Sequence, residues 1–163
     1  MLTRIVSHLR ACAVTLVIAL HTLFWGIPIH LLALVKLCAP KSAWKSACTA
    51  GLMRLVKGWI GGVLYIQDHF LNIAWDIQPT AALSPRQWYI VTINHRSWAD
   101  IPALLKALAD RVAFPVVFAK QQMFWVPIIG TALWAMDYPI MKRYSRRYLA
   151  RHPEKRGIDL ETT

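Results

Sequence analysis

The sequence predicts an α/β fold in which N-terminal membrane helices precede a mixed sheet covered by helices. Three observations predict it. Residues 11 to 35 form a run of 25 without Asp, Glu, Lys or Arg. From residue 88 onward, β-like runs alternate with helical ones, the pattern of a largely parallel or mixed sheet with covered faces. Composition is the third. Hydrophobic residues make up 56% of 163, and mean hydropathy is +0.38, yet the formal charge is +11 from 19 basic and 8 acidic residues. A basic chain suits nucleic acid or an anionic membrane. The eight tryptophans and the long apolar run select the membrane, so nucleic acid is not an expected partner. The length fits one domain plus an appendage: a membrane-anchoring helical region over 1–60 and a second region over 61–163.

At about 1.5 Å per residue, the run 11 to 35 reaches roughly 37 Å, enough for a hydrocarbon core near 30 Å. It is too long, and too lacking in a small-residue cleavage site, for a signal peptide. Arg4 and Arg10 flank it on one side, and Lys36, Lys41 and Lys45 on the other. Gly26-Ile27-Pro28 interrupts it, which predicts a kinked span or a re-entrant hairpin. His21 and His30 within it read as interfacial or packed residues rather than ligands. A second helix is expected over 43 to 64. There Leu52, Leu55, Val56, Trp59, Ile60 and Val63 make one apolar stripe, with Arg54 and Lys57 opposite. Such a stripe suits a bilayer surface or the cover of a core.

Leu64-Tyr65-Ile66 and residues 71 to 77 are short strand candidates, and a Pro-bounded linker over 78 to 85 follows. Trp88-Tyr89-Ile90-Val91-Thr92-Ile93 then reads as a buried strand. Next come a helix over 98 to 109, a strand over 114 to 119 and a helical stretch around 122 to 136. Cys12, Cys38 and Cys48 have no metal spacing and form no even disulfide set. They are expected as buried reduced thiols beside apolar segments, consistent with a domain facing a reducing cytoplasm. The lysines after the apolar run agree.

The chemistry-bearing stretch is Asn94-His95-Arg96-Ser97-Trp98-Ala99-Asp100, just after the predicted strand. An imidazole can take a proton from an alcohol near neutrality. A nearby carboxylate fixes the ring's tautomer and stabilises the imidazolium. Five steps along an ideal helix leave two side chains roughly 140° apart. His95 and Asp100 therefore meet only if His95 lies in the entry loop and Asp100 in the first helical turn. The plainer reading is that Ser97-x-x-Asp100 is a capping box, with Ser97 as N-cap and Asp100 at the positive helix end. Further on, Lys142, Arg143, Arg146, Arg147, Arg151, Lys155 and Arg156 make a basic stretch. Arg143, Arg147 and Arg151 align if residues 144 to 152 are helical. Guanidinium groups hold phosphates through paired hydrogen bonds, although many charge runs are only solvated faces.

That string closely resembles the first block of the glycerolipid acyltransferases, the lysophosphatidic acid acyltransferase family, whose hallmark is His-x4-Asp. The segment Ala119-Lys120 to Pro127 and Gly130 resembles the family's next segment. Pro139-Ile140-Met141-Lys142-Arg143 resembles the block after it, an apolar strand ending in arginine. The similarity covers roughly residues 88 to 143. Two departures stand out. Met136-Asp137-Tyr138 replaces a Gly-rich approach to the arginine block, and the later Glu-Gly-(Thr/Ser)-Arg block occurs nowhere in these residues. The chain is therefore expected to hold the first part of the sheet and the N-terminal part of the acyltransferase domain.

The resemblance implies a membrane-bound O-acyltransferase of phospholipid synthesis. It would move a fatty acyl group from acyl-CoA or acyl-ACP to a lysophospholipid, foremost 1-acylglycerol 3-phosphate. By this resemblance His95 is the base and Asp100 orients it, while Arg143, Lys120, Asn94 and Ser97 contact substrate. A covalent route through Ser97 ranks below its capping role, and Trp98 is expected to pack beneath the site. No cofactor or metal is expected, because a thioester is already an activated donor. The expected partners are membrane lipids, the donor and the acceptor. The expected location is the bacterial inner membrane, with the catalytic domain facing the cytoplasm. The alternative is a catalytically incomplete membrane protein that binds lipid headgroups or a partner.

Overall fold

Two long helices lead the chain: α1 (Leu2–Cys38) and α2 (Ala43–Phe70). After an irregular stretch come α3 (Asp100–Leu108), β1 (Ala119–Lys120), a 3-10 helix at Gln121–Trp125, α4 (Ile129–Ala135), β2 (Ile140–Met141) and α5 (Arg146–Arg151). The structure, a computed structural model, describes residues 2–40, 43–71, 73–78, 82–97, 99–142 and 144–157. The described chain is thus mostly helical, with one small parallel sheet. Contacts divide it into two units, residues 1–24 with 57–115 and residues 25–56 with 116–163.

In the first unit, the front of α1 runs antiparallel to the back of α2, fastened by polar groups. The His21 ring lies 3.0 Å from the Trp59 carbonyl, and Trp59 Nε1 donates to the Thr22 hydroxyl at 3.1 Å. The helices approach closely because Gly62 has no side chain; a Cβ there would lie 2.2 Å from the His21 ring. Arg10 Nε donates to the Phe70 carbonyl at 2.5 Å, placing a cation on the negative end of α2. Just before that end, Asp68 accepts from Trp75 Nε1 at 2.6 Å and pairs with Lys106 of α3. These contacts set the position of α3, whose first residue is Asp100.

In the second unit, the back of α1 supplies Ile29 and Ala33 to a core that also holds Cys48, Leu52 and Val56. Those three α2 residues recur every four positions, so they share one face. Ala119, Ile128, Ala132, Leu133, Ala135, Met136 and Tyr138 complete this core. The parallel pair matches Ala119 with Ile140 and Lys120 with Met141. Parallel neighbours need a crossover, and α4 is part of it. Gly130 lets α4 sit directly on the preceding turn; a Cβ there would be 2.1 Å from the Phe124 carbonyl oxygen.

Several sequence expectations are corrected. Gly26-Ile27-Pro28 neither breaks α1 nor folds it into a hairpin; Pro28 lies inside one continuous helix. Gly26 is instead a notch for Ile128, whose Cδ1 would be 2.6 Å from a Cβ at that position. Ile128 reaches it from φ 67°, an uncommon conformation for a β-branched residue. Residues 64–66 are not a strand, because α2 continues through them to Phe70. The described residues of 71–77 and the whole of 88–93 join no ladder. Nor is 88–93 buried: Trp88 and Ile90 are each 98% exposed. A β-like side-chain pattern makes a strand only where a neighbour offers hydrogen bonds, and no described segment does so here. The strands expected over 114–119 and 139–143 shrink to two residues each, and the helix expected over 122–136 splits at Pro127. Cys12 and Cys38 are exposed, leaving Cys48 as the buried thiol. The mixed, helix-covered sheet is therefore replaced, among the described residues, by one parallel pair.

Among the described residues, α1 is the helix long and apolar enough to cross a membrane. Its outward face carries Leu9, Leu16, Leu20, Leu23, Phe24, Ile27, Leu31 and Leu34, each more than half exposed.

Candidate active site

His95 lies in the loop that enters α3, and Asp100 opens that helix. The two side chains meet, with His95 Nδ1 3.2 Å from Asp100 Oδ2. The same oxygen accepts the backbone N–H groups of Arg96 at 2.5 Å and Ser97 at 2.6 Å. The loop is thus wrapped around the carboxylate, and the local sequence explains why. Four residues separate His95 from Asp100, and two successive N–H groups among them, those of Arg96 and Ser97, point toward this side chain in the first turn, where partial positive charge also gathers. With Nδ1–H donating to Asp100, Nε2 carries the ring's lone pair. The His95 side chain is 50% exposed and Asp100 27% exposed, so the pair is open to a substrate.

These contacts control ionisation. The Ser97 N–H, then the Arg96 N–H and the His95 ring, hold the Asp100 carboxyl at about 2, below its ordinary 3.8. Charge-stabilising hydrogen bonds outweigh the small opposing effect of burial. Asp100 is consequently a carboxylate throughout any working pH range.

Ser97 serves the turn. Its hydroxyl accepts the Ala99 N–H at 3.2 Å and lies 3.3 Å from Asp100 Oδ1. Ala99, just before α3, is already helical at φ −68° and ψ −21° and has no side-chain cap. The capping exchange is therefore made one turn early: Ser97 serves Ala99, and Asp100 reaches back to the Ser97 N–H. Asn94 is exposed in the loop. Trp98 lies outside the described residues.

The basic candidates belong to the other unit. Lys120 is exposed on β1, and Arg143 lies outside the described residues. Arg147 and Arg151 are exposed on α5, a shorter helix than the 144 to 152 expected. Ser145 caps it by accepting the Tyr148 N–H at 3.2 Å.

Three arrangements escaped the sequence reading. Lys36, taken as a flanking charge, is buried; its ammonium donates to the Ala135 carbonyl at 2.7 Å and to Asp137 at 2.5 Å. Asp137 sits at φ 58°, a conformation that glycine favours and Asp tolerates. This is the position where a Gly-rich approach was replaced. Tyr144, Tyr148 and His152 form a column closed by Lys155, which donates to the Tyr148 hydroxyl at 2.8 Å. That bond is the main cause of a raised Lys155 pKa. The four-residue spacing of the three rings was a legible signal for it. The third arrangement is a cleft of about 450 Å³ lined by Gln121, Phe124, Trp125, Ile140 and Lys142. Among the described residues, no group of three His, Cys, Asp or Glu side chains is set to hold a metal.

A protein-family model described as Acyltransferase matches residues 77–156, the segment that contains the His95–Asp100 pair. No curated protein and no solved structure matches the chain.

Proposed function

Residues 77–156 belong to the acyltransferase family, and from that premise we propose that this chain transfers a fatty acyl group from a thioester to a lysophospholipid hydroxyl, foremost that of 1-acylglycerol 3-phosphate. The observation carrying the proposal is the contact between His95 Nδ1 and Asp100 inside the matched segment.

In the proposed reaction, His95 Nε2 removes the proton of the acceptor hydroxyl as its oxygen attacks the thioester carbonyl carbon. The carbon–sulfur bond then breaks, and the departing thiolate takes the proton from the imidazolium. An ester and a free thiol result. Asp100 holds the ring by Nδ1–H and stabilises its charged form. Direct attack is favoured over a covalent route, because the contacts of the Ser97 hydroxyl are with Ala99 and Asp100. The thioester is already activated, so the proposed chemistry needs no metal or cofactor.

The acceptor phosphate is assigned to Arg143, with Lys120, Asn94 and Ser97 as further substrate contacts. This assignment rests on the resemblance of their motifs. If it is right, Arg143→Lys keeps the charge but loses the paired geometry. The expected result is a raised KM for lysophosphatidic acid with little change for the thioester donor. Arg147→Lys and Arg151→Lys should be milder. Equal, small effects at all three positions would place the phosphate elsewhere.

Region 1–60 is proposed as the membrane anchor, with the catalytic region on the cytoplasmic side of a bacterial inner membrane. The support is α1, whose outward face would be costly to hydrate and is matched to lipid. High salt screens charge without weakening apolar insertion. The chain should therefore stay with membranes through salt and carbonate washes, and release by salt alone would refute insertion.

A further inference from the structure

We propose that Asp68, near the end of α2, is a positioning residue for the His95–Asp100 pair: through Lys106 it fixes the direction of α3, and with it the carboxylate that orients the histidine. The kinetic consequence rests on the acyltransferase reading, whereas the placement of His95 does not.

None of the α3 residues is fully buried, so apolar burial alone does not fix the direction of this helix. Two contacts instead tie this part of the chain to α2. Lys106, in the last turn of α3, donates to the Asp68 carboxylate. Lys57 lies over the Phe114 ring, 5.6 Å from its centroid. Lys57 and Asp68 are about three turns apart, so they share one face of α2 and hold the stretch from Lys106 to Phe114 along it.

Asp68 is itself held in place. Trp75 Nε1 donates to its Oδ1 at 2.6 Å, while Lys106 takes Oδ2. A carboxylate with a donor on each oxygen has a set orientation, which a lone surface ion pair lacks. The bonds from Lys106 and then Trp75 hold its pKa below the ordinary 3.8, so the charge persists at working pH. Lys106 and Asp100 point about 120° apart around α3. One can therefore anchor to α2 while the other reaches back to His95. Between them α3 rises about 9 Å. A tilt of about 6° at Lys106 thus moves Asp100 by about 1 Å, a misplacement that can cost about 10²-fold in rate.

The test compares Asp68→Ala and Lys106→Met in the full chain in detergent. Both should lower kcat roughly tenfold, as a misplacement below 1 Å would. KM for lysophosphatidic acid should change by less than about twofold, because the loss falls on the chemical step. Lys106→Arg keeps the ion pair and should retain most of the rate. A second readout needs no turnover: nitrogen-15 spectra of the histidine-labelled chain, with His95 identified by the signal lost in His95→Ala. Wild type should show His95 as the single tautomer protonated at Nδ1, and both damaging variants should show a mixture of tautomers. Asp110→Asn removes an exposed carboxylate just beyond α3 and should change neither readout. Wild-type kcat in Asp68→Ala and Lys106→Met overturns the proposal. So does a lowered kcat with the tautomer unchanged, which would make the ion pair a support of the fold at large. A chain that transfers nothing, yet whose His95 tautomer depends on Asp68, sinks the acyltransferase reading alone. Acyl transfer and a tautomer both indifferent to Asp68 sink this one alone.

Discussion

His95→Ala is expected to lower acyl transfer by at least about 10²-fold, the low end for loss of a general base. The size follows from the chemistry. An alcohol attacking a thioester must shed its proton as the new bond forms, and at neutral pH water is a poor acceptor. His95 offers a lone pair at Nε2 because Nδ1–H is committed to Asp100. Half of the side chain is open to solvent, so truncation leaves no buried cavity and the loss should be catalytic. Circular dichroism and thermal melting should stay near wild type while the initial rate collapses. Near-normal turnover in this variant would remove His95 from the mechanism.

Asp100→Ala should be the second most damaging change, and for two reasons at once. It strips His95 of its orienting carboxylate and frees the Arg96 and Ser97 N–H groups that the carboxylate gathers. Transfer should fall roughly 10- to 10³-fold. Asp100→Asn separates the two effects. Its carbonyl oxygen can still accept the backbone N–H groups, so the loop persists, but no charge stabilises the imidazolium. It should impair transfer with the fold intact. The pH behaviour has a definite sign. Asp100 titrates at about 2 instead of 3.8, so folding is what lowers its affinity for the proton. The stabilisation is complete above about pH 4 and is lost as pH falls through about 2. Amide resonances of Arg96 and Ser97 should therefore hold steady from about pH 7 to about pH 4 and shift only below that. A transition centred near pH 4 would mean the carboxylate is not gripped as described.

What could be read from the sequence was local. The loop-and-first-turn placement of His95 and Asp100 follows from five positions and helix geometry. The apolar helix α1 follows from an uninterrupted run. The misreadings share a physical cause. Gly26 looked like a breaker because its partner, Ile128, lies about a hundred residues away. Lys36 looked like a solvated flank because Asp137 is 101 positions distant. Residues 88–93 looked like a buried strand because an apolar run reports side chains, whereas a strand requires a neighbour's backbone. Leu64-Tyr65-Ile66 is apolar enough for a strand or a buried helix, and continuation of the helix decided the matter. The basic candidates remain the least constrained part: Lys120 and α5 belong to the second unit, and Arg143 lies outside the described residues.

In the proposed reaction this chain moves an acyl group to a lysophospholipid through His95. The most direct measurement is made on the 163-residue chain, reconstituted in phospholipid vesicles with radiolabelled lysophosphatidic acid and a long-chain acyl-CoA. Labelled phosphatidic acid should appear together with free thiol, in equal amounts, and neither should form with His95→Ala. Folded, membrane-retained protein that forms no phosphatidic acid, or forms it equally well without His95, would contradict it.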